Sequence, residues 1–97
     1  MAFRITITED AERQFLALSA RDQRILEVAI VSRLQHQPTT LTRAVKHLRP
    51  NPGAAYELRV GDLRILYDVE GEEAIISVVG LKVGNRLMVA GEWLHGH

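Results

Sequence analysis

Phe3, Ile5 and Ile7 alternate with Arg4 and Thr6, the two-residue period of a strand with one face buried, so the chain is expected to open on β structure. Thr8 then offers a side-chain oxygen where a helix needs an N-cap, and Glu9 and Asp10 follow in the first turn, where negative charge suits the helix dipole. Ala11, Phe15 and Leu18 recur at helical spacing, with Glu9 and Arg13 set for an i,i+4 pair. Residues 19–22 resemble a capping-box start for a second helix. That helix carries Ile25, Leu26, Val28, Ala29, Ile30, Val31 and Leu34 until Pro38 stops it. Its apolar stripe is broad enough to lie across a sheet.

From 38 to 55 the pattern lapses, and Pro50, Pro52 and Gly53 mark a loop that carries Lys46, His47 and Arg49. Alternation returns at 56–60 and 63–67, two runs joined by Gly61-Asp62, which suits a two-residue hairpin turn. The turn sets the register: Val60 faces Leu63, Arg59 faces Arg64, Leu58 faces Ile65 and Tyr56 faces Tyr67. A further turn is expected around Gly71, and 74–81 is a nearly continuous apolar run suited to a central strand. Residues 86–89 read as another short strand, and 91–97 as a tail. The expected fold class is α+β, a single domain over 1–97. A strand and two helices lead into an antiparallel meander that the helices cover on one side, with the first strand at an edge of the sheet.

The 97 residues, 46% hydrophobic, suffice for one core. With no cysteine, disulfides and thiolate zinc sites are excluded. The opening residues have no apolar signal-like run and no later run is long enough to span a membrane, which leads us to expect a soluble, cytoplasmic protein. Formal charge is zero, but it is unevenly spread. Residues 1–37 balance five arginines against five acids, whereas 39–64 hold Arg43, Lys46, Arg49, Arg59 and Arg64 against Glu57 and Asp62 alone. A local basic patch on a neutral chain favours a specific anionic site over bulk polyelectrolyte binding.

The two arginines set opposite each other by the hairpin are the sharpest feature. Like charges in that position repel, so a sheet built for stability alone seldom places them there; a surface that holds phosphate gains from two forked donors. The competing explanation is that each pairs with an acid such as Glu57 or Asp68 on a solvated face. His47 is a candidate general base, against a simply solvated side chain. Tyr56 and Tyr67 could stack on a base, but sharing a face with aliphatic residues makes them core candidates. The His95 and His97 pair at the chain end lacks partners for a metal site, and neither metal nor cofactor is expected.

The residues 56–67, reading YELRVGDLRILY, together with the opening strand and helical hairpin and the closing segment VGLKVGNR over 79–86, resemble the RelE/ParE superfamily of toxins from type II toxin–antitoxin modules. The resemblance covers most of the chain. It implies a small toxin restrained by a cognate antitoxin that wraps around it, with higher-order complexes of the two. RelE-like members bind in the ribosomal A site and cleave mRNA, and ParE-like members poison DNA gyrase without cutting. Carried over by position, Arg59 and Arg64 match the basic hairpin residues, and Arg86 matches the arginine after the last long strand. Lys46 and Arg49 match a basic loop.

Lys46 and His47 join the three arginines as expected catalytic residues, and Arg43, Arg49 and Lys82 are expected to bind RNA. The sequence departs from many mRNA-cutting members in having no tyrosine beyond Arg86, where Leu87 to Glu92 stand. Arginine can stabilise a phosphorane but, with a pKa above about 12, is a poor proton carrier. Proton transfer then falls to Lys46, His47, Lys82, Tyr67 or the ribosome. Ribosome-dependent mRNA cleavage is the leading expectation, with gyrase inhibition or simple antitoxin binding as alternatives.

Overall fold

The computed structural model describes residues 2–48, 55–84 and 86–89, and the backbone of 92–93. Among them the chain runs β1 (Arg4–Ile7), α1 (Glu9–Leu16), α2 (Ala20–Ala29), a π-helical segment (Ile30–Leu34), β2 (Val45–His47), β3 (Tyr56–Val60), β4 (Leu63–Glu70), β5 (Glu73–Val83), β6 (Arg86–Val89) and β7 (Glu92–Trp93). Both caps form as the sequence requires. Thr8 accepts from the Ala11 amide and Ser19 from the Asp22 amide, each satisfying a backbone donor that has no partner inside its helix. Arg13 pairs with Asp10, one turn back at i,i+3, rather than with Glu9. The second helix loosens into π geometry before Pro38.

The sheet order is β2-β3-β4-β5-β6-β7, antiparallel throughout, with β1 added parallel to β5. The antiparallel meander is as expected; the parallel first strand makes the sheet mixed. One edge of the long β5 is divided. Its first four residues pair with β1 and its last three with β6. A strand flanked this way has little solvated surface, which is why 74–81 is almost wholly apolar.

Two further departures lie in stretches without clear periodicity. Residues 45–47 form β2 inside the expected loop, because they pair with β3 rather than by virtue of their own pattern. Glu92–Trp93 pair with β6 within the stretch expected to be a tail, whose remaining residues lie outside those described.

The helices cover one face of the sheet. Ala11, Leu26, Ala29 and Leu34 pack there on Val45, Leu58, Leu63, Ile65, Tyr67, Ile76 and Val79, all buried. The hairpin register is the expected one, from Tyr56 opposite Tyr67 to Val60 opposite Leu63. Between β4 and β5 the register slips: Leu66 pairs with Val78 but Tyr67 pairs with Ile76. The extra residue, Ser77, is a bulge that exchanges the two faces of β5. Before it, Ala74 and Ile76 are the buried positions; after it Val79 enters the helix-covered core, while Val78 packs on the opposite face against Leu66 and Leu87.

Candidate anion-binding site

The face of the sheet turned away from the helices carries the basic residues. Register puts Lys46 of β2 beside Glu57 of β3, and Arg59 of β3 opposite Arg64 of β4, which in turn lies opposite Gly80 of β5. The Ser77 bulge then brings Lys82, two residues beyond Gly80, to this same face. Without that slip Lys82 would share the parity of Ala74 and Ile76 and point into the core. Arg86 enters at the start of β6, after the turn at Gly84, whose φ of 62° suits a glycine.

These five cations line one cavity of about 250 Å³. Among the described residues its remaining walls are Glu57 and the apolar Leu48 and Leu87. Leu48 and Leu87 belong to the small cluster around Leu66.

The two facing arginines differ in environment. Arg64 is only 6% exposed, and its Nη1 donates to the carbonyls of Gly61 at 2.7 Å and Leu63 at 2.8 Å. This corrects the expectation that both are solvent-facing: β3 on one side and β5 on the other enclose Arg64, so part of its fork is spent on the hairpin turn. The Arg59 side chain is 43% exposed, and its Nε lies 3.9 Å from Glu57 Oε1. The pairing of Arg59 with Glu57 that the competing explanation called for is thus present, though long. Glu57 is itself nearly buried and contributes the lone carboxylate among the described cavity walls. It offsets part of the repulsion among five cations and leaves a net excess of positive charge for an anion to balance.

The other expected site residues lie elsewhere. His47 is next to Lys46 on β2 and so points to the other face, where its ring meets Tyr56 edge-on at 5.1 Å. Tyr56 stacks on Tyr67 at 5.5 Å. His47 is therefore not among the cavity walls, and the strand pairing of β2 is the reason. Tyr67 cannot act as a proton carrier there either. It is fully buried under the helices and its hydroxyl donates to the Pro38 carbonyl. Burial, with Tyr56 beside it, holds that hydroxyl protonated well beyond the usual tyrosine range. Arg43 is exposed ahead of β2 and is not a wall of the cavity. Arg49 lies outside the described residues. Glu57 was not among the expected site residues, although the hairpin register alone places it two residues from Arg59 on the same face.

A family model described as the ParE toxin of type II toxin–antitoxin systems, parDE, matches residues 5–88. The chain belongs to this toxin family. The match runs from β1 to β6 and so takes in all five cavity cations. Among solved structures, the ParE-family chain is similar to the RelBE2 toxin–antitoxin complex of Mycobacterium tuberculosis, at a TM-score of 0.69 and 22% identity, covering 84% of this chain and 100% of that one. At that identity the likeness concerns the fold. No curated protein matches the chain. No described helix is long and apolar enough to cross a membrane.

Proposed function

We propose that this toxin of a type II toxin–antitoxin module arrests growth by holding a phosphate of nucleic acid in the basic cavity, with mRNA on the ribosome as the target and a cognate antitoxin as the partner that restrains it. The observation that carries this reading is the convergence of Lys46, Arg59, Arg64, Lys82 and Arg86 on one cavity. A phosphodiester bound there meets charge-assisted donors on several sides, which is what an in-line attack by the neighbouring 2′-hydroxyl requires as charge builds on phosphorus.

In that attack the 2′-oxygen bonds to phosphorus as its proton leaves, and the 5′-oxygen departs taking up a proton. In this reading Glu57 accepts the first proton and Lys46 or Lys82 supplies the second; it is supported by their position on the cavity wall, with His47 and Tyr67 on the opposite face. A second reading, gyrase inhibition without cutting, is favoured by the absence of histidine and tyrosine from the cavity walls among the described residues and by the engagement of Arg64 with the hairpin turn.

Pulse labelling after induction separates the two. The mRNA-cleaving mode stops incorporation into protein first, and cleavage sites appear in transcripts; an early stop in DNA synthesis with intact mRNA overturns it in favour of gyrase.

A further inference from the structure

One edge of β5 has a gap in it. β1 pairs with that edge as far as Ile76 and β6 only from Leu81, so among the described residues Ser77 to Gly80 meet no paired strand there. Alternate residues of an antiparallel strand turn their amides away from the partner, and the Val79 amide turns away from β4 into this gap. Val79 is only 1% exposed, so the amide has no recourse to water. A side chain from the helical layer supplies the acceptor: the amide donates to Gln14 Oε1 of α1 at 2.9 Å.

The gap also divides the basic cavity. Lys46, Arg59 and Arg64 stand on β2, β3 and β4, whereas Lys82 and Arg86 follow the gap in the chain. The second pair is tied to the first through the stretch of β5 that Gln14 holds. Within that stretch Gly80 lies opposite Arg64. β6, which begins at Arg86, passes so close that a Cβ on Gly80 would stand 2.7 Å from the Met88 carbonyl oxygen. A small movement of β5 here is therefore passed on to both cations. The Ser77 bulge stands at the start of the stretch, and a bulge is where the ladder is already interrupted.

We infer that Gln14 is a positioning residue for the basic cavity. Its side chain stands in for the missing strand, fixes β5 from Val78 to Gly80, and so holds Lys82 and Arg86 against the cations of β2, β3 and β4. Gln14 is not a wall of the cavity and acts only through β5. Its effect on a bound anion rests on the reading of the basic cavity given above; its hold on β5 does not.

The test uses the full chain and a fluorescent single-stranded DNA oligonucleotide, which lacks the 2′-hydroxyl and is not cut. In the wild type, a scalar coupling across the hydrogen bond should connect the Val79 amide nitrogen to the Gln14 side-chain carbonyl carbon. Gln14→Leu removes the acceptor and should shift the amide resonances of Lys82 and β6 while leaving those of β2 in place. Gln14→Asn, one methylene too short to reach, takes its place if the leucine variant does not fold, and Gln14→Glu, which keeps an acceptor oxygen, should restore the wild-type pattern. Lys82→Ala should lower the slope of log affinity against log salt by about 0.7, one phosphate contact on a single strand. In the Gln14→Leu background it should lower it no further, whereas Lys46→Ala should have its full effect in both backgrounds. A general loss of stability would leave the effects of Lys82→Ala and Lys46→Ala equally unchanged, and that outcome overturns the proposal. So does an absent coupling in the wild type, or Lys82 and β6 resonances indifferent to Gln14. An oligonucleotide that does not bind the wild type sinks the phosphate reading, and the resonances of Lys82 and β6 then decide the positioning role alone.

Discussion

Arg59 and Arg64 face each other across the β3–β4 hairpin, yet one is open to solvent and the other is buried against the turn that joins them. Substitution should separate them. Arg64→Ala removes a charged donor from two backbone carbonyls and is expected to cost about 1.5–3 kcal/mol. Arg59→Ala removes a half-exposed side chain with one long ionic contact and should cost less than about 1 kcal/mol. Urea denaturation of the two variants checks this; equal costs would mean that the buried hydrogen bonds of Arg64 contribute nothing net.

Arg86 and Lys82 test the cavity without that complication, because neither is a buried part of the hairpin turn. Arg86→Ala should leave the melting temperature close to that of the wild type. If the cavity stabilises a cleavage transition state, the same change lowers toxicity or cleavage by a factor on the order of a hundred. Lys82→Ala should act in the same direction. Folded variants that remain fully toxic would remove the cavity from the mechanism.

Tyr67 links the sheet to the Pro38 carbonyl, and its hydroxyl is buried. Tyr67→Phe should therefore cost about 0.5–1.5 kcal/mol near neutral pH. It should also change the alkaline limb of stability. The folded state holds the tyrosine proton more tightly than the unfolded chain does, so the stability it confers is fully present below the unfolded pKa of about 10 and falls as pH rises above it. Comparing denaturation of wild type and Tyr67→Phe from neutral pH to pH 11 should show a steeper alkaline loss for the wild type. Parallel curves would refute the assignment.

Gly80 lies opposite Arg64, where β6 passes close to β5. A Cβ built there would stand 2.7 Å from the Met88 carbonyl oxygen and 3.0 Å from a Val89 methyl. Gly80→Ala must push backbone apart and is expected to destabilise by about 1–3 kcal/mol. It should also shift the amide resonances of β6 and weaken anion binding through Arg86. A neutral substitution would show that β6 is free to move.

The alternating runs on either side of Gly61-Asp62 determined by themselves that Arg59 would face Arg64 and Tyr56 would face Tyr67, because a two-residue turn leaves one register. The caps at Thr8 and Ser19 were likewise local, since an N-cap depends only on residues within one turn. Burial of Arg64 was not legible, because it depends on β5 lying against β4, a pairing that alternation on one hairpin does not report. The strand at 45–47 exists through its pairing with β3, and that pairing sends His47 to the helical side while leaving Lys46 in the cavity. Lys82 reaches the cavity through the Ser77 bulge, a one-residue slip invisible in a continuous apolar run because both parities there are hydrophobic. Local spacing could fix which side chains share a face within one hairpin; which face meets solvent, and which distant cations converge on it, was decided when the strands packed together.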